Sequence, residues 1–100
     1  MSEALQNNQI QSALSDLPGW KFSEDTIRKD FQFGDFTQAF SFLVQVAFIA
    51  ENQNHHPNIE NVYNSVTLAL QSHDAGNKVT GKDIAFAEAV EKLEPSGLKT

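Results

Sequence analysis

Apolar residues recur along this chain with two periods, and the switches between them mark out helices and hairpins. Ile10, Ala13, Leu14 and Leu17 follow the i, i+3, i+4, i+7 spacing of a helical stripe, which Pro18-Gly19 stops. Trp20 and Phe22 then alternate with polar residues, Ser23 to Asp25 supply turn chemistry, and Ile27, Phe31 and Phe33 share one parity, so a hairpin follows the helix. Asp35 with Gln38 resembles a capping pair, and Phe36, Ala39, Phe40, Leu43, Ala47 and Ala50 beyond it fall on one stripe of a long second helix. Phe42, Val46 and Ile49 widen that apolar surface until only a thin polar strip with Gln38, Ser41, Gln45 and Asn52 remains. A domain of this size rarely surrounds a helix on most sides, so the extra width reads as a self-association surface in preference to deep burial in the chain's own core.

After Pro57 the pattern returns to period two. Asn58 to Tyr63 reads as a strand, Asn64-Ser65 as a tight turn, and Val66, Leu68 and Leu70 as the inward parity of a fourth strand. Asp74-Ala75-Gly76-Asn77 is loop material, and Thr80 with Asp83 opens a last helix whose buried stripe is Phe86, Ala87, Val90 and Leu93. The order α-β-β-α-β-β-α implies an α+β fold, a four-stranded antiparallel sheet with helices packed on one face.

Composition narrows the function classes. One hundred residues with 40% apolar content suit a single domain spanning residues 1–100. Thirteen acidic against seven basic residues give a charge of −6, and no basic cluster exceeds Arg28-Lys29, so direct nucleic-acid contact is not expected. Met1-Ser2-Glu3 does not start a signal peptide, and the most apolar run, Phe40 to Ala50, is too short and too interrupted by Ser41 and Gln45 to span a membrane, which makes the cytoplasm the expected location. The absence of cysteine excludes disulfides, thiolate metal sites and cysteine nucleophiles. Pro95 to Thr100 reads as a loose tail.

The residues with chemistry to offer form one spaced set, Glu51, His55-His56-Pro57, Tyr63, His73 and Asp83. Imidazole titrates nearest neutral pH, so three of them on a rigid frame suggest proton transfer to and from a small molecule. Glu51 sits one helical neighbour before His55, close to the core stripe, where its carboxylate could hold an imidazole or face a ligand; an ordinary acid at a fraying helix end is the plainer alternative. Pro57 should end the helix at His56 and leave two imidazoles diverging at a helix-to-strand corner. His73 has the opposite parity from Val66, Leu68 and Leu70, so it faces away from the core or leaves the sheet. His55, His56, His73 and Glu51 could nominally ligate zinc or iron, but adjacent histidines rarely aim at one metal and no HxxxH pair is present. Asp83 is sufficiently explained as the partner of Thr80 in the helix cap, and Tyr63 as packing at a strand end.

The pattern Glu-x3-His-His-Pro-x5-Tyr-x9-His-x9-Asp, read from Glu51 through Asp83, closely resembles the pterin-4a-carbinolamine dehydratase family. Leu17-Pro18-Gly19-Trp20, Asn61-Val62-Tyr63-Asn64 and Ser72-His73-Asp74 extend the resemblance over nearly the whole chain. It implies dehydration of 4a-hydroxytetrahydropterin to the quinonoid dihydropterin without a metal or other cofactor, with an aromatic amino-acid hydroxylase in the same pathway and assembly as a homodimer or homotetramer. It further implies His55, His56 and His73 as the active-site histidines, Glu51, Asn54, Ser72 and Asp74 around the pterin, and Tyr63 and Asp83 in support. Within that set His55 and His73 are expected to donate protons to the hydroxyl, and His56 to bind and act as a base. Some members of the family also serve as dimerisation cofactors of a homeodomain transcription factor, so a protein-interaction module is the alternative. Many relatives have an aromatic residue where this chain has Ile59, and threonine where it has Ser72; the first change weakens ring stacking, while the second keeps the hydroxyl.

Overall fold

A computed structural model describes residues 3–99; Met1 and Ser2 of the N-terminal stretch and Thr100 of the tail lie outside them. The elements are α1 (Asn7–Leu14), β1 (Lys21–Ser23), β2 (Thr26–Gln32), α2 (Phe36–Gln53), β3 (Asn58–Val62), β4 (Ser65–Leu70), a single 3-10 turn at His73–Ala75, and α3 (Gly81–Glu91). The strands form one antiparallel sheet in the order β1-β2-β4-β3, the α+β arrangement expected from the sequence. Among the described residues no helix is long and apolar enough to cross a membrane.

One sheet face carries the core. Ile27, Phe31, Val66, Leu68 and Leu70 are buried with Ile10 of α1, Phe42 and Val46 of α2, and Phe86 and Val90 of α3 in one cluster. The other face is polar, and Thr67 there donates to Asp30 at 2.7 Å while Ser65 donates to Gln32 at 3.0 Å. Helix α1 ends at Leu14, one turn earlier than its apolar spacing suggests, and Leu17 is buried from the turn that follows. The first hairpin turns at Glu24 and Asp25, both with positive φ (52° and 61°), as a two-residue connection matched to strand twist requires.

The second hairpin turns at Tyr63-Asn64, one residue earlier than expected, because Ser65 already pairs with Val62 and Gln32. Asn64 is tied to Phe33 by Phe33 N–H donating to its carbonyl at 2.9 Å and by its own Nδ2 donating to the Phe33 carbonyl at 3.0 Å. The capping pair of α2 is half realised. Asp35 accepts from Gln38 N–H at 2.8 Å, but the Gln38 side chain accepts from Gly34 N–H at 3.0 Å instead of turning back to Asp35. The expected loose tail is pinned through its described part, with Lys99 N–H donating to the Gln32 carbonyl at 2.8 Å. Gly97 there has φ 79°, which favours glycine, and a Cβ on it would fall 1.9 Å from Gln38 Oε1, so any side chain would also have to displace the Gln38 amide.

The wide apolar surface of α2 is real, but the expected inward stripe is split: its Ala39, Leu43 and Ala50 stay in the core, while its Phe36, Phe40 and Ala47 give way to Phe42 and Val46. Ala39, Phe42, Leu43, Val46 and Ala50 face the sheet, and Phe42 packs on Phe31 and Phe33 at ring-centroid distances of 4.8 and 5.2 Å. Phe36, Phe40, Val44 and Phe48 face outward at 49%, 52%, 47% and 73% exposure. Both stripes obey helical spacing, and only the position of the sheet decides between them. Phe42→Ala should therefore destabilise the protein by about 3–5 kcal/mol, read as a lower urea midpoint at unchanged slope.

Candidate active site

Helix α2 stops at Asn54, which takes the left-handed conformation (φ 50°, ψ 45°) as its C-cap. His55 N–H then donates back to the Ala50 carbonyl at 3.1 Å, so the chain leaves the helix three residues before Pro57 and the two imidazoles diverge. One ring goes inward. His55 keeps 11% of its side chain exposed, lies edge-on to buried Phe86, and places Nε2 2.5 Å from Oδ1 of Asp83, whose side chain is completely buried. The other goes out. His56 Nε2 is 2.9 Å from Glu51 Oε2, with 61% and 78% of the two side chains exposed.

Glu51 is thus on the surface and serves His56, whereas its spacing suggested a place beside the core near His55. The acid that orients His55 is Asp83, from the first turn of α3. Its Oδ2 accepts from Thr80 N–H at 2.9 Å, completing the expected capping box, and from the Ser72 hydroxyl at 3.0 Å. A capping acid normally uses one oxygen; here the second is free to reach the imidazole.

His73 leaves the sheet, one of the two outcomes its parity allowed, and begins the 3-10 turn. That turn is closed behind it by an antiparallel bridge between Ser72 and Lys78. His73 therefore stands at the end of β4 beside the end of α2, and Asn54, His55, His56, His73 and Asp74 line one cleft of about 390 Å³. A second hollow of about 450 Å³, floored by Ala69 and Thr26, shares His56, Gln71 and His73 with the first. Each is the size of a small-molecule site.

Of the other expected residues, Ser72 is buried with its hydroxyl turned to Thr80 and Asp83, so it lies behind His55 and not on the cleft wall. Tyr63 is 62% exposed at the far end of the β3–β4 hairpin, away from the histidines. Ile59 sits on edge strand β3 at 42% exposure. Gln71 and Lys82 line the cleft without having been singled out by sequence; Gln71 shares the outward parity of Thr67 and Ala69, a signal that was present, while Lys82 follows a helix cap and carries none. Lys82 Nζ lies 3.5 Å from Asp74 Oδ2. Among the described residues no group of three or more His, Asp or Glu side chains converges as a metal site.

Three imidazoles from two chain segments line one cleft on a helix-backed antiparallel sheet, which defines an α+β protein with a histidine-lined cleft. The family model described as pterin 4 alpha carbinolamine dehydratase matches residues 3–93, and the chain belongs to that family. A protein of Opitutus terrae provisionally named as a pterin-4-alpha-carbinolamine dehydratase is 46% identical over 93 residues, covering 93% of this chain and 96% of that one. A crystal structure of a transcriptional coactivator/pterin dehydratase from Brucella melitensis superimposes with a TM-score of 0.84 at 36% identity, covering 89% of this chain and 96% of that one. A pterin dehydratase-like protein identified as a RuBisCO assembly factor in the alpha-carboxysome gives a TM-score of 0.60 at 28% identity over 78% of this chain and 89% of that one.

The two acid–imidazole pairs should behave oppositely on mutation. Glu51→Gln should change stability by less than about 0.5 kcal/mol, because water screens an exposed pair. Asp83→Ala should cost about 3 kcal/mol or more, because it strands Thr80 N–H, the Ser72 hydroxyl and His55 in the interior. Urea unfolding of the two variants beside the parent measures both.

Proposed function

We propose that this protein dehydrates a 4a-hydroxytetrahydropterin to the quinonoid dihydropterin. Family membership supports the substrate class, and the observation that carries the reading is the convergence of His55, His56 and His73 on one cleft. The 4a-hydroxyl leaves from a carbon bonded to N5, so the N5 lone pair drives out the oxygen while that oxygen takes a proton and N5 loses one. Two positioned acid-base groups suffice. His55 and His73 are assigned to protonating the departing hydroxyl, and His56 to binding and to base work. Glu51 orients His56, while Asn54 and Asp74 supply polar contacts at the cleft wall. Such a reaction follows a pterin-dependent aromatic amino-acid hydroxylase, the expected pathway partner.

Stopped-flow absorbance of chemically generated 4a-carbinolamine should show acceleration by the protein. His55→Ala and His73→Ala should each lose on the order of 10²–10⁴-fold, and the parent rate should survive chelation. Parent-like rates in both variants remove the mechanism, and a chelator-sensitive rate reopens metal chemistry.

The outward stripe of α2 favours a second property, assembly into a homodimer or homotetramer. Phe36, Phe40, Val44 and Phe48 lie on successive turns, and Phe36 and Phe40 stack at 5.6 Å between ring centroids. Exposed apolar rows of this kind mark contact surfaces. Light scattering should find more than one chain per particle, and Phe40→Glu with Phe48→Glu should reduce it to one; a monomeric parent sinks the assembly.

A further inference from the structure

Behind His55 lies a chain of hydrogen bonds whose directions follow from counting protons. Ser72, Thr80 and Asp83 are 1%, 0% and 0% exposed, so water does not enter the count. Thr80 Oγ1 accepts from Lys82 N–H at 3.2 Å and lies 2.7 Å from Ser72 Oγ. Ser72 Oγ is 3.0 Å from Asp83 Oδ2, which also accepts from Thr80 N–H at 2.9 Å. A carboxylate has only lone pairs to offer, and each hydroxyl owns one proton. Ser72 must therefore donate to Asp83, which leaves it only as an acceptor toward Thr80, so the Thr80 hydroxyl donates in the 2.7 Å contact. By the same count the proton between His55 and Asp83 sits on Nε2.

Donation runs one way from a backbone N–H in the first turn of α3 to Asp83, which accepts from the imidazole on its other oxygen. His55 makes its side-chain bond through Nε2, no buried polar side-chain atom among the described residues lacks a partner, and His55 lines the cleft, which leaves Nδ1 as the accessible nitrogen.

We infer that Ser72 and Thr80 are positioning residues for His55: their hydroxyls, acting through Asp83, lock the ring as the Nε2–H tautomer and make Nδ1 the nitrogen that exchanges a proton with the substrate. The last part rests on the dehydratase reading. In that reaction the imidazolium releases its Nδ1 proton to the departing oxygen as the C4a–O bond breaks. The N5 proton passes to a second imidazole, the N5–C4a double bond forms, and water leaves. The other proton stays on Nε2, donated to Asp83 throughout, so the ring returns to the Nε2–H tautomer. Serine keeps the one proton this chain needs at position 72.

Long-range proton–nitrogen NMR of the imidazole rings tests this without any substrate, at a pH on the neutral side of the His55 titration followed in the same spectra. His55 should appear as the Nε2–H tautomer. Ser72→Ala should shift its ring nitrogens and lower kcat on the order of tenfold with KM changed by less than about twofold, and Ser72→Thr should restore both. Asp83→Asn keeps an oxygen for Thr80 N–H and the Ser72 hydroxyl but turns an amide NH₂ toward Nε2, so it should reverse the tautomer to Nδ1–H. An Nδ1–H ring in the parent protein, ring shifts untouched by Ser72→Ala, or an unreversed tautomer in Asp83→Asn overturns the inference. An Nε2–H ring in a protein that dehydrates no pterin leaves the hydrogen-bond chain standing and removes the proposed function instead.

Discussion

The contact between Asp83 and His55 joins the end of α2 to the start of α3, and Ser72 ties the end of β4 into the same carboxylate. A fully buried carboxylate is tolerated only where donors meet its lone pairs. Here Thr80 N–H, the Ser72 hydroxyl and the imidazole do so, and each belongs to a different turn of the backbone. Moving any of these segments by an ångström would break a bond that no water replaces. The site's geometry is therefore enforced by the same desolvation penalty that keeps α2, α3 and the sheet in register.

The three histidines consequently live under different constraints. His55 is held by the fold and backed by Phe86. His56 is held only by an exposed carboxylate, a bond worth little to stability, so its ring can follow a ligand. His73 is also exposed, but the Ser72–Lys78 bridge closes its loop two residues after the Gly76 turn and so limits where its backbone can go. One rigid imidazole and two adaptable ones around a cleft suit a reaction in which one proton must be delivered along a fixed line while the other groups follow the substrate.

Elements governed by local chemistry were plain in the sequence. The inward parity of Val66, Leu68 and Leu70 and the capping box of Thr80 and Asp83 are set by residues within a few positions. What depended on a distant partner was not. Phe42 and Phe40 are equally apolar on α2, and only Phe31 of β2 and Phe33 just beyond it select Phe42 for the core. Glu51 and Asp83 are both acids within reach of an imidazole in principle. Spacing favoured Glu51 for His55, because the 28 residues between His55 and Asp83 give no hint of a contact made through α3. Asp83 was read correctly as a cap and incompletely as a carboxylate: a local pattern accounts for one oxygen, and only the tertiary structure assigns the other.

Helix α2 does two jobs with one period. Its inner stripe fixes the sheet, its last residues lead into His55 and His56, and its outer stripe, ending at Phe48, lies about two turns before the cleft. Because the outer side chains make no contact with the buried carboxylate, an apolar row can be strengthened or dissolved without touching the chain of hydroxyls behind His55. The reverse also holds, since His55 and His56 come from the residues past the C-cap, His73 from the turn after β4, and none from the outer face. A fold built this way lets surface association and proton chemistry vary as separate properties of one element, as expected where function resides in sites placed on a common scaffold.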